Sequence, residues 1–102
     1  MTADVYHAIS DPNRRRLLDL LSGQERSVQD LMPFFTVTVG AISQHLKVLL
    51  ECGLVLRRKA GRHRLYRASP QALKEVHDWT AQFSAFWGPR LDRLGDYLDE
   101  AP

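Results

Sequence analysis

The sequence predicts a mainly helical domain with one small β-hairpin, in the order α-α-α-α-β-β-α. Apolar residues recur every three or four positions over most of the chain, which is the period of helices that bury one face. Asp, Ser and Thr residues precede these stretches where helix N-caps are expected. Residues 54–59 and 63–68 instead read as two strands, because Gly61 between them can adopt the positive φ of a tight turn.

The first two helices are predicted within residues 3–22. Three apolar residues near the N-terminus suggest a short first helix. The second begins at Asp11-Pro12, with Asp as N-cap and Pro at the first helical position. Gly23 suits its end, because glycine readily adopts the left-handed conformation that follows a helix C-terminus.

Two further helices are predicted within residues 27–52, joined by a tight connection. Ser27 caps the third helix, and Asp30 three residues later gives a short version of the capping box. Pro33 should end or kink this helix. Thr38 caps a fourth helix that runs to about Cys52. The inner side of the fourth helix is predicted to carry Ile42, Leu46, Leu49 and Leu50.

The hairpin is predicted over residues 54–68 and a last helix over residues 70–99, with Ser69 as N-cap and Pro70 at its start. An apolar stripe follows the last helix over about six turns. So small a domain has little core to cover this stripe, which therefore predicts a dimer interface shared with the first helix; a ligand pocket is the alternative. The predicted interface comprises Val5, Tyr6, Ile9, Trp79, Phe83, Phe86, Trp87, Leu91, Leu94 and Leu98.

Composition describes one ordinary globular domain over residues 1–102. The sole cysteine, Cys52, excludes an intrachain disulfide and a Cys-rich metal site, and it favours a cytoplasmic protein. No apolar run approaches the roughly 20 residues that cross a bilayer, so no membrane partner is expected. The N-terminus also lacks the basic-then-apolar pattern of a secretory signal.

Charge is unevenly distributed along the chain. The net charge is only +2, yet residues 31–74 carry eight Lys or Arg against one acid, and residues 75–102 carry two against six. This separation favours a polyanionic partner that touches one face of the molecule. A solvated surface with uneven charge is the alternative.

The predicted fourth helix has an outer face suited to DNA, since a helix-turn-helix places its second helix in a groove. Gln44 can bond adenine, Ser43 can donate or accept, and Val39 can touch a thymine methyl. Gly40 permits a close approach of the backbone, and the helix start at Thr38 favours a phosphate. The residues predicted to contact DNA here are Thr38, Val39, Gly40, Ser43, Gln44, Lys47 and, flanking this face, His45.

The predicted hairpin concentrates positive charge. Six of the fourteen Lys and Arg lie within residues 57–67, with no acid among them. Phosphate contacts supply affinity without sequence information, and an arginine at the tip could enter a narrow minor groove. Edge strands also carry Lys and Arg to stay soluble, which is the alternative. The hairpin residues predicted to contact DNA are Arg58, Lys59, Arg62, His63 and Arg64.

The arginines at positions 14–16 and the single cysteine each have two interpretations. Arg14, Arg15 and Arg16 point in three directions on a helix, so a structural or solvated role is at least as well supported as DNA contact. Cys52 could be a redox switch, but its place at a helix C-terminus disfavours the thiolate. A buried, inert cysteine is the better interpretation.

Three stretches together resemble the ArsR family of winged-helix bacterial repressors: AISDPNRRRLLDLL, AISQHLKVLLECGLV and GRHRLYR. The resemblance covers about residues 5–98 in matching order. It implies a helical core with a β-hairpin wing, dimerised through the first and last helices. It also implies homodimers that bind palindromic operators in double-stranded DNA and usually repress. By position, Val39, Gly40, Ser43 and Gln44 match the base-reading helix, and residues 62–64 match the wing tip.

The chain departs from the metal-sensing members of that family. Their Cys-x-Cys pair falls here on Ser27 and Gln29, neither of which is a thiol. Their alternative site on the last helix is reduced to His77 beside Asp78. We therefore expect no metal site and no cofactor, with a His7–His77 contact across a dimer as the alternative.

These observations predict a sequence-specific transcription regulator, a homodimeric repressor that acts near its own gene and does not respond to metals. Two alternatives stay open: a switch of the same fold operated by an unknown effector or by thiol oxidation, and a winged-helix module that binds an acidic protein. An enzyme is not expected, because no nucleophile, base and orienting group occur at a credible spacing and no phosphate-binding Gly loop is present.

Overall fold

The computed structural model describes residues 4–86, and their elements follow the predicted order. Short turns of 3-10 helix lie at Met32–Phe34 and Pro70–Leu73. The helices and strands are α1 (Val5–Ile9), α2 (Pro12–Leu21), α3 (Val28–Leu31), α4 (Val39–Glu51), β1 (Val55–Ala60), β2 (His63–Ala68) and α5 (Lys74–Ala81).

Capping side chains begin α2, α3 and α4 at the predicted residues. The Asp11 carboxylate accepts hydrogen bonds from the next two backbone N–H groups, at 2.8 and 3.1 Å. Ser27 and Asp30 form the predicted capping box, because each side chain accepts a hydrogen bond from the backbone N–H of the other. Thr38 Oγ1 accepts the backbone N–H of Ala41 at 3.1 Å. Three residues or fewer separate every donor from its acceptor, so the sequence could specify these starts.

The start of the last helix differs from the prediction. Ser69 does not cap it: the Ser69 backbone N–H donates to Leu54 O at 2.8 Å, and its hydroxyl donates to Gln71 Oε1 at 2.7 Å. The residue thus prolongs the hairpin ladder, and α5 begins only at Lys74. Residues 82–83 form a turn after α5, and residues 84–86 are again helical. The remainder of the predicted 70–99 helix lies outside the described residues.

One apolar core joins α1, α2, α3, α4 and the base of the hairpin. Val5 is only 4% exposed and packs in this core, so little of its side chain is left to contact a second copy. Leu50 is half-buried at the core's edge, whereas the other predicted inner residues of α4 are fully buried. The core residues are Val5, Ala8, Leu17, Leu18, Leu21, Leu31, Ile42, Leu46, Leu49, Leu54, Val55 and Tyr66.

A tight turn closes the antiparallel hairpin at its tip, and a backbone bridge joins β2 to the segment before α3. At its tip Gly61 has φ +64°, and β1 pairs with β2 from Val55↔Ala68 to Ala60↔His63, leaving a two-residue loop that suits glycine. Arg26 and Tyr66 exchange backbone hydrogen bonds of 3.0 and 2.8 Å. This bridge fixes β2 beside the segment that leads into α3. No helix within residues 4–86 has the length and apolar character that a membrane span requires.

Candidate nucleic-acid interface

Helix α4 separates its residues into a buried side and an open side. Ile42, Leu46 and Leu49 are fully buried, so the 3.6-residue period turns the residues between them outward. Val39 is 56% exposed although it is apolar. The exposed residues of this face, with the cap, are Thr38, Val39, Gly40, Ser43, Gln44 and Lys47. All of them belong to the predicted DNA-contacting set.

The open face of α4 continues into the tip of the hairpin. Ser43 and residues 62–64 line one surface groove of about 330 Å³, together with the start of α3. The fold therefore brings together a helix face and a hairpin tip that lie some twenty residues apart in the sequence. The full lining is Ser27, Val28, Gln29, Ser43, Arg62, His63, Arg64 and Tyr66.

Gln29 lines the groove, although the sequence drew attention to it only as a residue that replaces a metal-binding cysteine. It is exposed on α3, and its amide can both donate and accept hydrogen bonds. A signal was available, because the first helix of a helix-turn-helix crosses the DNA backbone. Its side chain thus belongs with the candidate interface.

The hairpin carries an open cationic surface beside this groove. Lys59 and Arg64 are direct cross-strand partners, a like-charge pair that destabilises a sheet when nothing compensates it. With Arg57 and Arg58 they line a shallow depression. An anion bound in this depression would relieve the repulsion among these side chains.

Arg58, one of the predicted hairpin contacts, pairs with an acidic side chain of the protein. Its Nε lies 2.6 Å from Glu25 Oε2 and its Nη2 lies 3.0 Å from Glu25 Oε1. The hydrogen bond from Arg58 lowers the pKa of the Glu25 carboxyl. This pair ties β1 to the segment before α3 and offsets the Arg58 charge, so the geometry gives this arginine an anchoring role.

His45 was predicted to flank the open face, and its ring is turned towards other parts of the protein. Its side chain is only 18% exposed, and Nδ1 lies 3.2 Å from Arg14 Nη1. Its Nε2 lies 4.0 Å from an Asp11 carboxylate oxygen. The ring therefore faces the start of α2, where it contacts protein groups, and not the groove.

The thiol of Cys52 lies at the C-terminal cap of α4 and donates a hydrogen bond to Asp4 O at 3.4 Å. Burial raises the pKa of this thiol, and the carboxylates of Asp4 and Glu51 act in the same direction. A raised pKa leaves less of the reactive thiolate at neutral pH.

Helices α1 and α5 meet and present aromatic side chains. The Tyr6 hydroxyl donates to Glu75 O at 3.3 Å, and its ring meets Trp79 edge-on at 6.1 Å between centroids. Trp79 contacts Phe83 in the same manner at 5.4 Å. We name Tyr6, Trp79, Phe83 and Phe86 the aromatic surface; their exposed fractions are 39, 54, 44 and 61%.

The other predicted interface residues are placed differently. Ile9 is half-buried and packs against the core. Trp87, Leu91, Leu94 and Leu98 lie outside the described residues.

The residues weighed as metal ligands lie apart or serve other roles. Ser27 is occupied as the N-cap of α3. The His77 side chain is 80% exposed, with Nδ1 3.5 Å from the neighbouring Asp78 carboxylate. Among residues 4–86 no three His, Cys, Asp or Glu side chains converge on one point.

Known proteins resemble this chain in sequence and in fold. The family model for bacterial regulatory proteins of the arsR family matches residues 11–56. The transcriptional repressor SdpR of Bacillus subtilis is 31% identical over 78% of this chain and 89% of its own length. The HTH-type transcriptional regulator Rv2034 of Mycobacterium tuberculosis is 31% identical over 92% of this chain and 85% of its own. A solved ArsR-like transcriptional regulator from Rhodococcus sp. RHA1 superposes with a TM-score of 0.72 at 31% identity, over 96% of this chain and 90% of that one.

Proposed function

Because this chain belongs to the ArsR family of bacterial regulatory proteins, we propose that it is a homodimeric repressor that binds a palindromic operator and does not respond to metal ions. DNA-binding regulation of transcription is the function of the family, and the chain is not an enzyme. The proposal concerns its assembly, its DNA site and its signal. It acts in the cytoplasm, where its DNA target lies.

The observation that carries the proposal is the groove that joins α4 to the hairpin tip. Val39, Ser43 and Gln44 are exposed on the α4 side, where they can read base edges in a major groove. Arg62 and Arg64 line the groove together with Ser43 and would supply the charge that neutralises phosphates. One surface thus combines both kinds of contact that a sequence-specific DNA complex requires.

A homodimer is supported by the aromatic surface, because four large rings more than a third exposed are unusual on one small monomer. A dimer related by a two-fold axis presents two copies of α4 in opposite directions. Such an arrangement reads a palindrome whose half-sites lie about one helical turn apart or a multiple of it.

The environments of Ser27 and Cys52 in the fold support a repressor that responds neither to metals nor to thiol oxidation. The Ser27 hydroxyl caps α3 at the position where metal-sensing members carry a thiol. One cysteine in each protomer cannot supply a multi-thiolate site. The raised pKa of the Cys52 thiol also disfavours its oxidation at neutral pH.

The proposal is tested by fluorescence anisotropy with purified protein and two labelled duplexes near physiological salt. One duplex is the site enriched by selection from a random DNA pool, and the other is its scrambled counterpart. We expect a preference of ~10³-fold or more, with two protomers on each duplex. Equal, weak binding to both duplexes, or one protomer on the enriched site, would contradict the proposal.

Gln44→Ala then tests the assignment of the reading face. We expect it to relax selectivity at one base pair of each half-site, at a cost of ~1–3 kcal/mol, because a bidentate contact to adenine would be lost. Gln71→Ala, which changes an exposed glutamine in the turn before α5, is the matched control and should leave the selected sequence unchanged. An unaltered sequence preference in the Gln44 variant would mean that another residue reads that base pair.

A further inference from the structure

We infer that Arg14 couples the first helix to the DNA-reading helix and acts as a positioning residue for sequence recognition. This inference rests on the proposed function, because it concerns how α4 is held when it reads DNA. Arg14 is only 8% exposed, although arginine is among the residues most rarely buried. Its burial calls for a structural partner at every nitrogen.

The guanidinium of Arg14 contacts two elements beyond its own helix. Its Nε donates to Ala8 O at 2.7 Å and its Nη2 donates to His7 O at 3.1 Å, both within α1. Its Nη1 lies 3.2 Å from His45 Nδ1 on α4. We name these three contacts the Arg14 clamp. One rigid, planar group thereby joins α1, α2 and α4.

The contact with Arg14 restricts the tautomer of His45. Arginine has only donors, so a hydrogen bond at this contact requires Nδ1 to accept, and the ring proton of a neutral imidazole is then on Nε2. That nitrogen faces Asp11 Oδ1 at 4.0 Å, and Asp11 itself accepts the backbone N–H of Arg14. Both ring nitrogens of His45 therefore face groups of the α1–α2 junction.

His45 directly follows Ser43 and Gln44 on α4. Because a helix moves as a rigid unit over one turn, a force on His45 is carried to both of these neighbours. At the other end of the clamp, α1 carries Tyr6 of the aromatic surface. The Arg14 clamp is thus a contiguous path of direct contacts between the proposed dimer surface and the proposed reading face, and coupling through it is measurable.

Arg15 offers a matched control on the same helix. Its Nη1 donates to Ile9 O at 2.7 Å, so it also binds a carbonyl of α1, but its side chain is exposed whereas that of Arg14 is buried. Arg14→Lys keeps the charge but cannot reach three separate acceptors from one nitrogen. Arg15→Lys applies the same change to an α1 contact alone.

The experiment measures the preference for the enriched duplex over its scrambled counterpart. We expect Arg14→Lys to lower this preference ~10-fold or more, with binding to the scrambled duplex unchanged, because the lysine keeps the positive charge but cannot hold α1 and α4 together. Arg15→Lys should stay within ~2-fold of the parent protein, since the contact that it alters joins α2 to α1. Circular dichroism establishes that each variant is folded at the assay temperature.

Substitutions of His45 separate positioning from packing. His45→Asn keeps an acceptor close to the Nδ1 position and should retain the preference within ~3-fold, whereas His45→Leu fills the space without an acceptor and should behave as Arg14→Lys does. The double variant Arg14→Lys/His45→Leu should lose no more than either single variant, because both break one contact. If Arg14→Lys does not fold, these two His45 variants still test whether the contact between Arg14 and His45 positions α4.

Several results would overturn the inference. Full preference in Arg14→Lys, equal losses in the Asn and Leu variants of His45, or a new base preference in His45→Asn would each do so; the last would mean that His45 contacts DNA itself. Amide hydrogen exchange of α4 without DNA gives a separate measure, with faster exchange expected in Arg14→Lys and not in Arg15→Lys. If the parent protein shows no DNA preference, the proposed function fails, while exchange still decides whether the clamp holds α4.

Discussion

Thr38 and Gly40, two residues apart at the start of α4, have opposite effects on the helix. Thr38 caps the first turn and stabilises it. Gly40 weakens the same turn, because glycine loses more backbone freedom on folding than any other residue. Packing does not require this glycine: a Cβ built there would meet nothing closer than Thr38 Oγ1 at 3.9 Å. The bare backbone therefore faces outward, towards the proposed DNA.

Gly40→Ala should separate stability from function. We expect the free energy of unfolding to rise by ~0.5–1 kcal/mol, because alanine favours the helix and meets open space. DNA affinity should fall nonetheless, since the new methyl group would separate the α4 backbone from the bases in the major groove of DNA. Thermal melts and anisotropy with the enriched duplex measure the two effects. A stabilised variant with unchanged affinity would show that the backbone does not approach DNA at this position.

Residue roles that depend on near neighbours could be predicted from the sequence, and those that depend on distant partners could not. The caps Asp11, Ser27 and Thr38 bond to groups within three residues. Arg58 and its partner Glu25 are 33 residues apart, and Arg14 and His45 are 31 apart. Charge and helical spacing place a residue on a face, but only the tertiary fold shows whether another side chain already occupies it.

At the scale of elements, contacts in the middle of the two strands position the hairpin, and residues 61–64 at its tip are exposed. The Arg26–Tyr66 bridge and the Arg58–Glu25 ion pair hold it against the segment before α3. The sequence predicted its strands to within one residue, because turn chemistry at Gly61 is local. It misplaced the start of the last helix, because Ser69 pairs with Leu54, a long-range contact that overrides the capping pattern.

Arg62 and Arg58 should differ in their effect on DNA binding, although both are hairpin arginines. Arg62→Ala should weaken binding to all sequences and lower the salt slope by about one for each protomer, because a phosphate contact and its released counterion are lost. Arg58→Ala should change the slope less, since Glu25 already offsets its charge. Anisotropy titrations at several salt concentrations measure both slopes. Equal slopes for the two variants would place Arg58 on the phosphates as well.

The Glu25–Arg58 pair should make stability sensitive to acid. Because Arg58 lowers the pKa of the folded Glu25 carboxyl, the pair stabilises the fold above the carboxyl's ordinary pKa, about 4.3, and this contribution is lost as pH falls through the lowered value. Glu25→Gln should therefore melt below the parent protein at neutral pH and match it in strong acid. Thermal melts across this range measure the difference. If the difference in melting temperature persists unchanged in acid, the lower stability of Glu25→Gln comes from packing and not from the ion pair.

At the scale of the whole molecule, two surfaces on different elements define the proposed repressor. The groove between α4 and the hairpin is the proposed DNA site, and the aromatic surface formed by α1, α5 and the residues that follow α5 is the proposed dimer contact. The fold class could be predicted because periodicity and caps agree along the chain. The contact between Tyr6 and Trp79 within one protomer could not be predicted from spacing, since 73 positions separate these residues.

Phe86→Glu should dissociate the proposed dimer, because an ionised carboxylate in an apolar interface costs far more than it does in water. Phe86 is the most exposed ring of the aromatic surface, at 61%. Phe34→Glu is the matched control: that ring is 40% exposed on the turn after α3, where Arg26 lies 5.2 Å from its centroid.

Sedimentation velocity measures the mass of each variant, and circular dichroism confirms that it is folded. If Phe86→Glu is monomeric, its affinity for the operator should also fall strongly, although Phe86 lies outside the groove. The reason is that one copy of α4 reads only half of a palindrome. Phe34→Glu should remain dimeric. A dimeric Phe86 variant would move the interface away from the aromatic surface, and a monomer with full affinity would mean that one protomer suffices to recognise the DNA.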